Sequence, residues 1–192
     1  GGGPGGLAAA YYLACKGHDV TVVDAMPKLG GMLRYGIPEY RLPKAIVDEE
    51  IAEIAAVGVK LQNNVRIGKD ISFDDFRKQY DATIVAIGAW KSTGVRCPGE
   101  ELEGVLGGID FLRGVAMGQA PEIGKRVAIV GGGNTAMDAC RTAVRLGAEK
   151  VYVIYRRTEA EMPAEAIEIE EAREEGVTFK FLTNPAQILG EN

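Results

Sequence analysis

The residues best suited to chemistry are glycines, which occur in two groups at the spacing of a phosphate-binding turn. The groups are Gly1, Gly3 and Gly6, reading G-x-G-x-x-G, and Gly131, Gly133 and Ala136, reading G-x-G-x-x-A. In such a turn the first glycine permits the bend, the second lets a phosphate approach the backbone, and the third position lets helix and strand pack closely. A helix that begins there presents unpaired N–H groups to a pyrophosphate. The spacing therefore predicts two dinucleotide sites.

The elements around the two turns repeat in the same order. Each turn is followed by a helix, a glycine cap and a strand, and the second turn also has a strand before it. The predicted elements are 7–16, Gly17 and 20–23 in the first copy, and 127–130, 134–146, Gly147 and 151–155 in the second. The same spacing separates Gly1 from Gly17 and Gly131 from Gly147. We interpret this as an internal repeat of α/β architecture.

The two copies differ in the residue that follows the second strand. Asp24 ends the first copy, where a carboxylate can accept hydrogen bonds from both ribose hydroxyls of an adenosine. The second copy has Tyr155, followed by Arg156 and Arg157. Without an acid a 2′-phosphate is not repelled, and a guanidinium can bind it in bidentate fashion. The second site is therefore predicted to favour NADP over NAD, with one of the two arginines facing solvent.

Further elements are predicted from periodicity and turn residues. They are a loop over 30–43, helices over 44–57, 72–79 and 165–175, strands over 59–62, 82–87 and 177–182, and a crossing between lobes over 97–107. The run over 82–87 is continuously apolar and predicts a fully buried strand, which ends at Gly88. Open α/β sheets bind ligands at such strand ends. The acidic residues of the helix over 165–175 are interpreted as a solvated face.

Composition excludes several other classes of function. A net charge of -5 leaves no basic surface for nucleic acid or an anionic membrane, and no apolar run approaches the length of a membrane span. The three scattered cysteines contain no CxxC pair, so no metal site is predicted and a reduced cytoplasmic location fits. The single histidine, His18, follows a glycine cap and is interpreted as solvated, which argues against a hydrolase triad. Cys140 is interpreted as a packed thiol.

Several segments resemble the glutamate synthase small (beta) subunit. They are the two glycine units, GGMLRYGIPEYRLP over 30–43, IVAIGAW over 84–90 and YRRTEAEMPA over 155–164. GIPEYRLP and EMPA are far more specific than the glycine motifs. Related flavoproteins share these segments, including the N-terminal half of dihydropyrimidine dehydrogenase and the NADP-binding subunits of ferredoxin-linked transhydrogenases.

The resemblance implies two Rossmann-like lobes, over 1–103 and 104–192, similar to the disulfide oxidoreductases but without their active disulfide. FAD and NADP(H) are the implied cofactors. The residues implied for FAD are Gly1, Gly3, Pro4, Gly6, Asp24, Gly30, Gly31, Leu33, Arg41, Leu42 and Gly88. Those implied for NADPH are Gly131, Gly133, Asn134, Thr135, Ala136 and Arg156 or Arg157.

The resemblance also implies an electron route and a partner. A hydride would pass from NADPH to FAD, and electrons would then pass singly through iron–sulfur clusters to a partner subunit that reduces the product of 2-oxoglutarate and ammonia. The family usually has Glu in place of Asp24. The family comparison predicts an internal fragment, with the first strand and the C-terminal return of the FAD lobe, and the cysteine-rich iron–sulfur segment, outside these residues.

Alternatives remain at this stage. Ferredoxin, pyrimidine and sulfur acceptors share the same core, and a non-catalytic nucleotide-binding module would keep the same turns. Direct dehydrogenation of a small substrate by NADP would need a substrate base, and none is apparent. Glu161 is interpreted as a structural turn residue. Hydride transfer between cofactors needs little acid–base equipment, so the scarcity of such groups agrees with a flavoprotein.

Overall fold

The computed structural model describes residues 1–190 and divides into two compact units, Gly1–Ala89 and a second unit that begins at Trp90. Each unit is α/β with a parallel sheet, which confirms the predicted fold class. The division falls before the lobe boundary predicted at 103/104, and that boundary stays a prediction.

The first unit is built around a small parallel pair of strands. Its elements are α1 (Pro4–Cys15), β1 (Thr21–Val23), α2 (Met32–Tyr35), α3 (Lys44–Ala56), β2 (Lys60–Gln62) and α4 (Phe73–Arg77). Thr21 pairs with Lys60 in the parallel ladder. α1 begins because Pro4 supplies a helical φ at the first position, and the chain leaves it through Gly17 at φ 90°. The core of this unit consists of Leu7, Ala10, Val22, Leu29 and Val59.

The second unit has a three-stranded parallel sheet in the order β3-β4-β5. Its elements are α5 (Gly108–Ala116), β3 (Arg126–Val130), α6 (Asn134–Arg145), β4 (Lys150–Ile154), a 3-10 turn (Glu159–Glu161), α7 (Ala166–Glu174) and β5 (Thr178–Lys180). Val127 pairs with Val151 and Val153 with Phe179. α6 places small and apolar residues at helical spacing, so one face lies against the sheet, with Met137, Cys140 and Val153 fully buried.

The helix and strand predictions around both turns are confirmed to within a few residues, but the strand predicted over 82–87 is wrong. Among residues 1–190 this segment joins no sheet ladder, and Ile84, Val85 and Ile87 are 57%, 62% and 68% exposed. A continuous apolar run predicts burial only where other layers cover both of its faces. Here the segment instead lies against the first glycine turn, where the Ala86 carbonyl oxygen is 2.2 Å from the Cβ that a side chain at Gly1 would carry.

The solvated face predicted for the helix over 165–175 is also partly wrong. α7 exposes Glu170 and Glu174, but Glu168 is buried against α6. Its carboxylate lies 2.6 Å from Nη1 of Arg141, a residue as buried as itself. A buried carboxylate needs such a partner. The charge pattern along α7 alone could not show that the partner comes from another helix.

Candidate functional site

The first glycine turn is too tightly packed to accept side chains. A Cβ at Gly6 would lie 1.9 Å from the Gly1 carbonyl oxygen, so the third position of the motif has no room for a methyl group. Gly3 is the N-cap of α1 and Pro4 its first residue. No side chain caps this helix in the described part of the chain, so its first-turn N–H groups remain available to an anion.

A second pair of glycines lies against this turn. Gly30 and Gly31 adopt φ values of 121° and 53°, and the Gly30 N–H donates to the Gly2 carbonyl at 2.8 Å. A Cβ at Gly31 would lie 2.7 Å from the Cα of Gly3. Both predicted positions are therefore brought to the turn, and both need glycine for conformation and for space.

Asp24 closes the same turn from the end of β1. The Gly2 N–H donates to its Oδ2 at 2.6 Å, and the Met26 N–H donates to its Oδ1 at 2.8 Å. Each carboxylate oxygen can accept a second hydrogen bond, so these contacts leave acceptor capacity for two ribose hydroxyls. Asp24 thus lies where the sequence places the ribose acid, and it also organises the turn itself.

Two residues of α2 hold the segment over 25–29, which joins Asp24 to the paired glycines. Arg34 is buried, donates from Nε to the Leu29 carbonyl at 2.5 Å and forms an ion pair with Asp48. The Tyr35 hydroxyl donates to the Lys28 carbonyl at 2.9 Å. Burial raises the pKa of Tyr35 further above neutral pH.

The remaining predicted flavin-side residues lie in the loop that leads to α3. The Arg41 and Leu42 N–H groups both donate to the Pro38 carbonyl at 3.1 Å, and Leu33 lies within α2. Lys44, which the sequence analysis missed, donates from its ammonium to carbonyls at both ends of this loop. A signal was available, because a lysine at a helix N-terminus opposes the helix dipole and its charge must be satisfied elsewhere.

Gly88, also predicted at a cofactor, resembles Leu33, Arg41 and Leu42 in having no backbone hydrogen bond to the turn among the described residues. It has φ 70° and is exposed in the irregular segment after residue 82. Ala86, two residues earlier, is the position whose backbone approaches Gly1. A role for Gly88 at a cofactor stays a prediction.

The second glycine turn begins at the end of β3. Gly131 has φ 142°, and its N–H donates to the Ile154 carbonyl of β4 at 3.0 Å. Gly133 is the N-cap of α6, again without a side-chain cap among the described residues. A Cβ at Gly132 would meet the Tyr155 ring at 2.7 Å. Ala136 occupies the third position with its methyl group buried.

The segment over 161–165, which contains EMPA, is docked on this turn. The Ala164 N–H donates to the Gly132 carbonyl at 3.1 Å, and the Tyr155 hydroxyl donates to the Glu161 carbonyl at 2.8 Å. The Glu165 N–H donates to Asn134 Oδ1 at 2.9 Å. Asn134, assigned to the cofactor from sequence, therefore also joins the start of α6 to the start of α7. Its amide N–H donors are not used by that bond.

Glu161 has the structural role expected of it. Its carboxylate accepts from the Thr158 N–H at 3.1 Å, and its own N–H donates to the Thr158 side chain, which completes a capping box on the 3-10 turn. The side chain is therefore engaged in holding the turn that carries EMPA.

Arg156 and Arg157 follow β4 directly beside the second turn, and both are exposed. The Arg157 carbonyl accepts from the Leu182 N–H at 3.1 Å, which fixes the backbone here. Neither guanidinium has an ion-pair partner within residues 1–190. Two exposed cations that follow the strand next to a glycine turn suit a phosphate-bearing ligand. Thr135, in the first turn of α6, is also exposed.

The described residues contain few other groups suited to chemistry. Burial raises the pKa of Cys140 to about 12, so this thiol is inert, as expected of a packed cysteine. Within residues 1–190 no cluster of three or more His, Cys, Asp or Glu side chains has the arrangement of a metal site. No helix in this part of the chain has the length and apolar content needed to cross a bilayer.

Two glycine turns at helix N-termini, each beside a parallel sheet, define an α/β protein with two dinucleotide-binding units. The chain belongs to the pyridine nucleotide-disulphide oxidoreductase family, whose model matches residues 1–192.

Curated relatives match nearly the whole chain. It is 46% identical to the NADP(+)-dependent formate dehydrogenase subunit beta of Moorella thermoacetica, over 100% of this chain and 27% of that protein. It is 45% identical to the NADPH-Fe(3+) oxidoreductase subunit beta of Geobacter sulfurreducens, over 98% of this chain and 29% of that protein. The glutamate synthase [NADPH] small chain of Azospirillum brasilense is 37% identical, over 100% of this chain and 42% of that protein. The predicted resemblance is confirmed, and the chain spans less than half of each of these relatives.

Solved structures show the same fold at low identity. FprA from Mycobacterium tuberculosis superposes with a TM-score of 0.86 at 19% identity, covering 100% of this chain and 60% of that one. Thioredoxin reductase from T. acidophilum superposes with a TM-score of 0.65 at 19% identity, covering 100% of this chain and 65% of that one.

Proposed function

We propose that this chain is the FAD- and NADPH-binding core of a flavin oxidoreductase that passes a hydride from NADPH to FAD. One observation carries the proposal: two uncapped helix N-termini at glycine turns are followed by different chemistry, an acid in the first unit and paired arginines in the second. A protein that bound the same dinucleotide twice would not need this difference.

The first unit fits FAD. The uncapped N-terminus of α1 at Gly3 receives the pyrophosphate, because no side chain fits at Gly1 or Gly6. Asp24 accepts the ribose hydroxyls with the acceptor capacity that its two backbone contacts leave. Because Gly31 has no side chain, the segment around it can approach the turn closely enough to enclose the ligand.

The second unit fits NADPH. The uncapped N-terminus of α6 receives the pyrophosphate, and one of Arg156 and Arg157 binds the 2′-phosphate. Tyr155 occupies the position of a ribose acid, and its hydroxyl is committed to the Glu161 carbonyl. No carboxylate at this position therefore repels the 2′-phosphate.

FAD accepts hydride and releases electrons one at a time, so the protein supplies binding and orientation rather than acid–base groups. The structural role of Glu161 and the inert thiol of Cys140 agree with a protein that supplies no acid–base group to the reaction. We propose that the electrons continue through iron–sulfur clusters, held outside these residues, to a partner subunit.

We propose a partner subunit as the electron acceptor, with two candidates for the reaction that this partner carries out. The relatives in Moorella thermoacetica and Geobacter sulfurreducens are named as beta subunits, which supports a partner that carries the final reaction. A glutamate synthase small subunit, favoured from sequence, is one candidate at 37–41% identity. The identities of 46% and 45% favour the second candidate, a beta subunit that exchanges electrons with a formate- or metal-reactive partner.

The test of the core uses the full-length protein. We expect a yellow preparation with flavin absorbance near about 450 nm that NADPH bleaches without oxygen far faster than NADH does. A colourless full-length protein that still binds nucleotide would instead show a non-catalytic module. Purification with its partner, followed by assay with glutamine and 2-oxoglutarate, formate or ferric iron, separates the two acceptor candidates.

The coenzyme preference has its own test. Replacing Arg156 and Arg157 together by Gln should weaken NADPH by about tenfold to a hundredfold and leave NADH within about twofold, because only NADPH carries the 2′-phosphate. Arg126→Gln is the matched control, since Arg126 is also exposed but lies at the end of β3 opposite the glycine turn. Equal losses for both coenzymes would contradict the assignment.

A further inference from the structure

The ammonium of Lys44 converges on three carbonyls of the segment that precedes it. Nζ lies 3.1 Å from the Leu33 oxygen, 2.7 Å from the Ile37 oxygen and 2.8 Å from the Leu42 oxygen. A lysine ammonium has three donors, so these contacts match its hydrogen-bonding capacity. The Leu33 carbonyl belongs to α2, and the other two belong to the loop that joins α2 to α3.

The backbone N–H of Lys44 also binds the loop. The Lys44 N–H donates to both carboxylate oxygens of Glu39 at 3.2 Å. Lys44 is the first residue of α3, where a positive charge is unfavourable toward the helix dipole. Its charge is satisfied by folding the loop back over it. Charge and backbone of one residue thus define the path of residues 33–43.

This loop leads away from the first glycine turn. It follows Gly30 and Gly31, which lie against Gly2 and Gly3, and it carries Leu33, Arg41 and Leu42, the residues assigned to the flavin side from sequence. The contact of Lys44 with the Leu33 and Leu42 carbonyls therefore sets the backbone of two of those three positions directly.

We propose that Lys44 is a positioning residue of the flavin site, whose ammonium acts as a fixed internal cation holding residues 33–42 in their working conformation. The proposal rests on the proposed function, since it concerns the flavin that the first unit binds. It predicts that the donors of the ammonium matter more than the bulk of the side chain.

The test uses the full-length flavoprotein with Lys44→Met, which keeps an unbranched side chain but has no donor. Misplaced reacting groups reduce rates by up to about a hundredfold, so we expect flavin reduction by NADPH to slow about tenfold or more, with the KM for NADPH within about twofold. The visible circular dichroism of bound FAD should change with it. Lys60→Met is the matched control, because Lys60 lies in the same unit, its side chain is 62% exposed, and within residues 1–190 its ion pair is with the exposed Asp19.

A second variant keeps the proposal testable if Lys44→Met loses FAD altogether. Lys44→Ala removes a propylammonium group, so added propylammonium should restore FAD retention and flavin reduction. Tetramethylammonium, which has charge but no N–H donor, should not. Rescue by both cations alike, or by neither, would overturn the proposal, as would a Lys44→Met protein with wild-type rate and dichroism.

These outcomes separate the two levels of inference. A wild-type protein without flavin refutes the proposed function. A wild-type protein that binds and reduces flavin, beside a Lys44→Met variant that does so equally well, refutes only the role of Lys44.

Discussion

The two turn–helix pairs share a motif spacing but are held in place by different means. α1 buries only Leu7 and Ala10, and its turn is closed by contacts from Asp24 and Gly30. α6 buries a continuous run from Ala136 to Ala143 that includes two charged residues, Asp138 and Arg141. Its turn is supported by a segment that comes later in the chain. The helix after the first turn therefore packs through two apolar residues, whereas the helix after the second also relies on buried charged side chains.

The largest expected effect tests the network of α6. Arg141 is 6% exposed and lies 2.6 Å from Glu168, 2.6 Å from Glu171 and 2.9 Å from Glu175. Arg141→Ala removes the buried cation that pairs with the buried carboxylate of Glu168, so we expect a loss of about 3–5 kcal/mol in the free energy of unfolding. Urea unfolding measures the loss, and hydrogen exchange should localise it to α6 and α7.

The control for Arg141 is an arginine on the same helix pair with exposed partners. Arg173 is 41% exposed and pairs with Glu159 and Glu170, so Arg173→Ala should cost less than about 1 kcal/mol. Replacing Arg141 and Glu168 together by Leu should recover most of the loss, because an apolar pair has no charge to satisfy. If Arg141→Ala were no more costly than Arg173→Ala, α6 would be held by apolar packing alone, as α1 is.

These networks also mark the limit of sequence reasoning. The glycine caps at Gly17 and Gly147 were predictable because a cap depends on a few adjacent residues. The partners of Arg141 come from a helix more than 20 residues away, and a charge pattern read along α7 suggested solvent instead. Lys44 lay within reach of the sequence, since its charge opposes its own helix, but the three carbonyls it binds have no side-chain signature.

The prediction of a buried strand over 82–87 was wrong for a related reason. Its hydrophobicity predicts that something should cover it, but the covering element cannot be read from the run itself. The position of Ala86 against Gly1 was equally hidden, because a backbone contact with glycine leaves no residue pattern. The candidate site was thus predictable where the motif is local, and unpredictable where other segments support it.

The next effect tests the third position of each motif. A methyl group at Gly6 would lie 1.9 Å from the Gly1 carbonyl oxygen, which is backbone and cannot rotate away. We expect Gly6→Ala to cost about 3 kcal/mol through overpacking, more than the helix propensity of alanine returns. FAD content at a fixed concentration of free flavin should fall with it, and urea unfolding measures the stability.

The reverse exchange in the second turn is the matched comparison. Ala136 already carries the methyl group, so Ala136→Gly should cost about 1 kcal/mol from backbone entropy and leave NADPH binding within about twofold. Similar losses for Gly6→Ala and Ala136→Gly would mean that the two turns tolerate a Cβ equally, and the contrast between them would be lost.

The smallest expected effect is a dependence of the second unit's stability on pH. Burial of Glu175 acts to raise its pKa, but hydrogen bonds from Arg145 and Arg141 outweigh that cost and lower it. A carboxyl whose folded pKa lies below its unfolded value contributes stability that is present above the unfolded pKa and is lost as pH falls through the folded one. Glu175→Gln should therefore cost about 1 kcal/mol at neutral pH and nothing in strong acid.

Asp75→Asn is the control in the first unit. A hydrogen bond from Ser72 lowers the pKa of this exposed carboxyl. Asp75 lies in the other unit from α6 and α7, so the acid unfolding of those two helices should not change. If Glu175→Gln left the loss of stability in acid unchanged for the second unit, Glu175 would not contribute to it. Arg141 would then hold α7 through Glu168 and Glu171, and the network would be smaller than its geometry indicates.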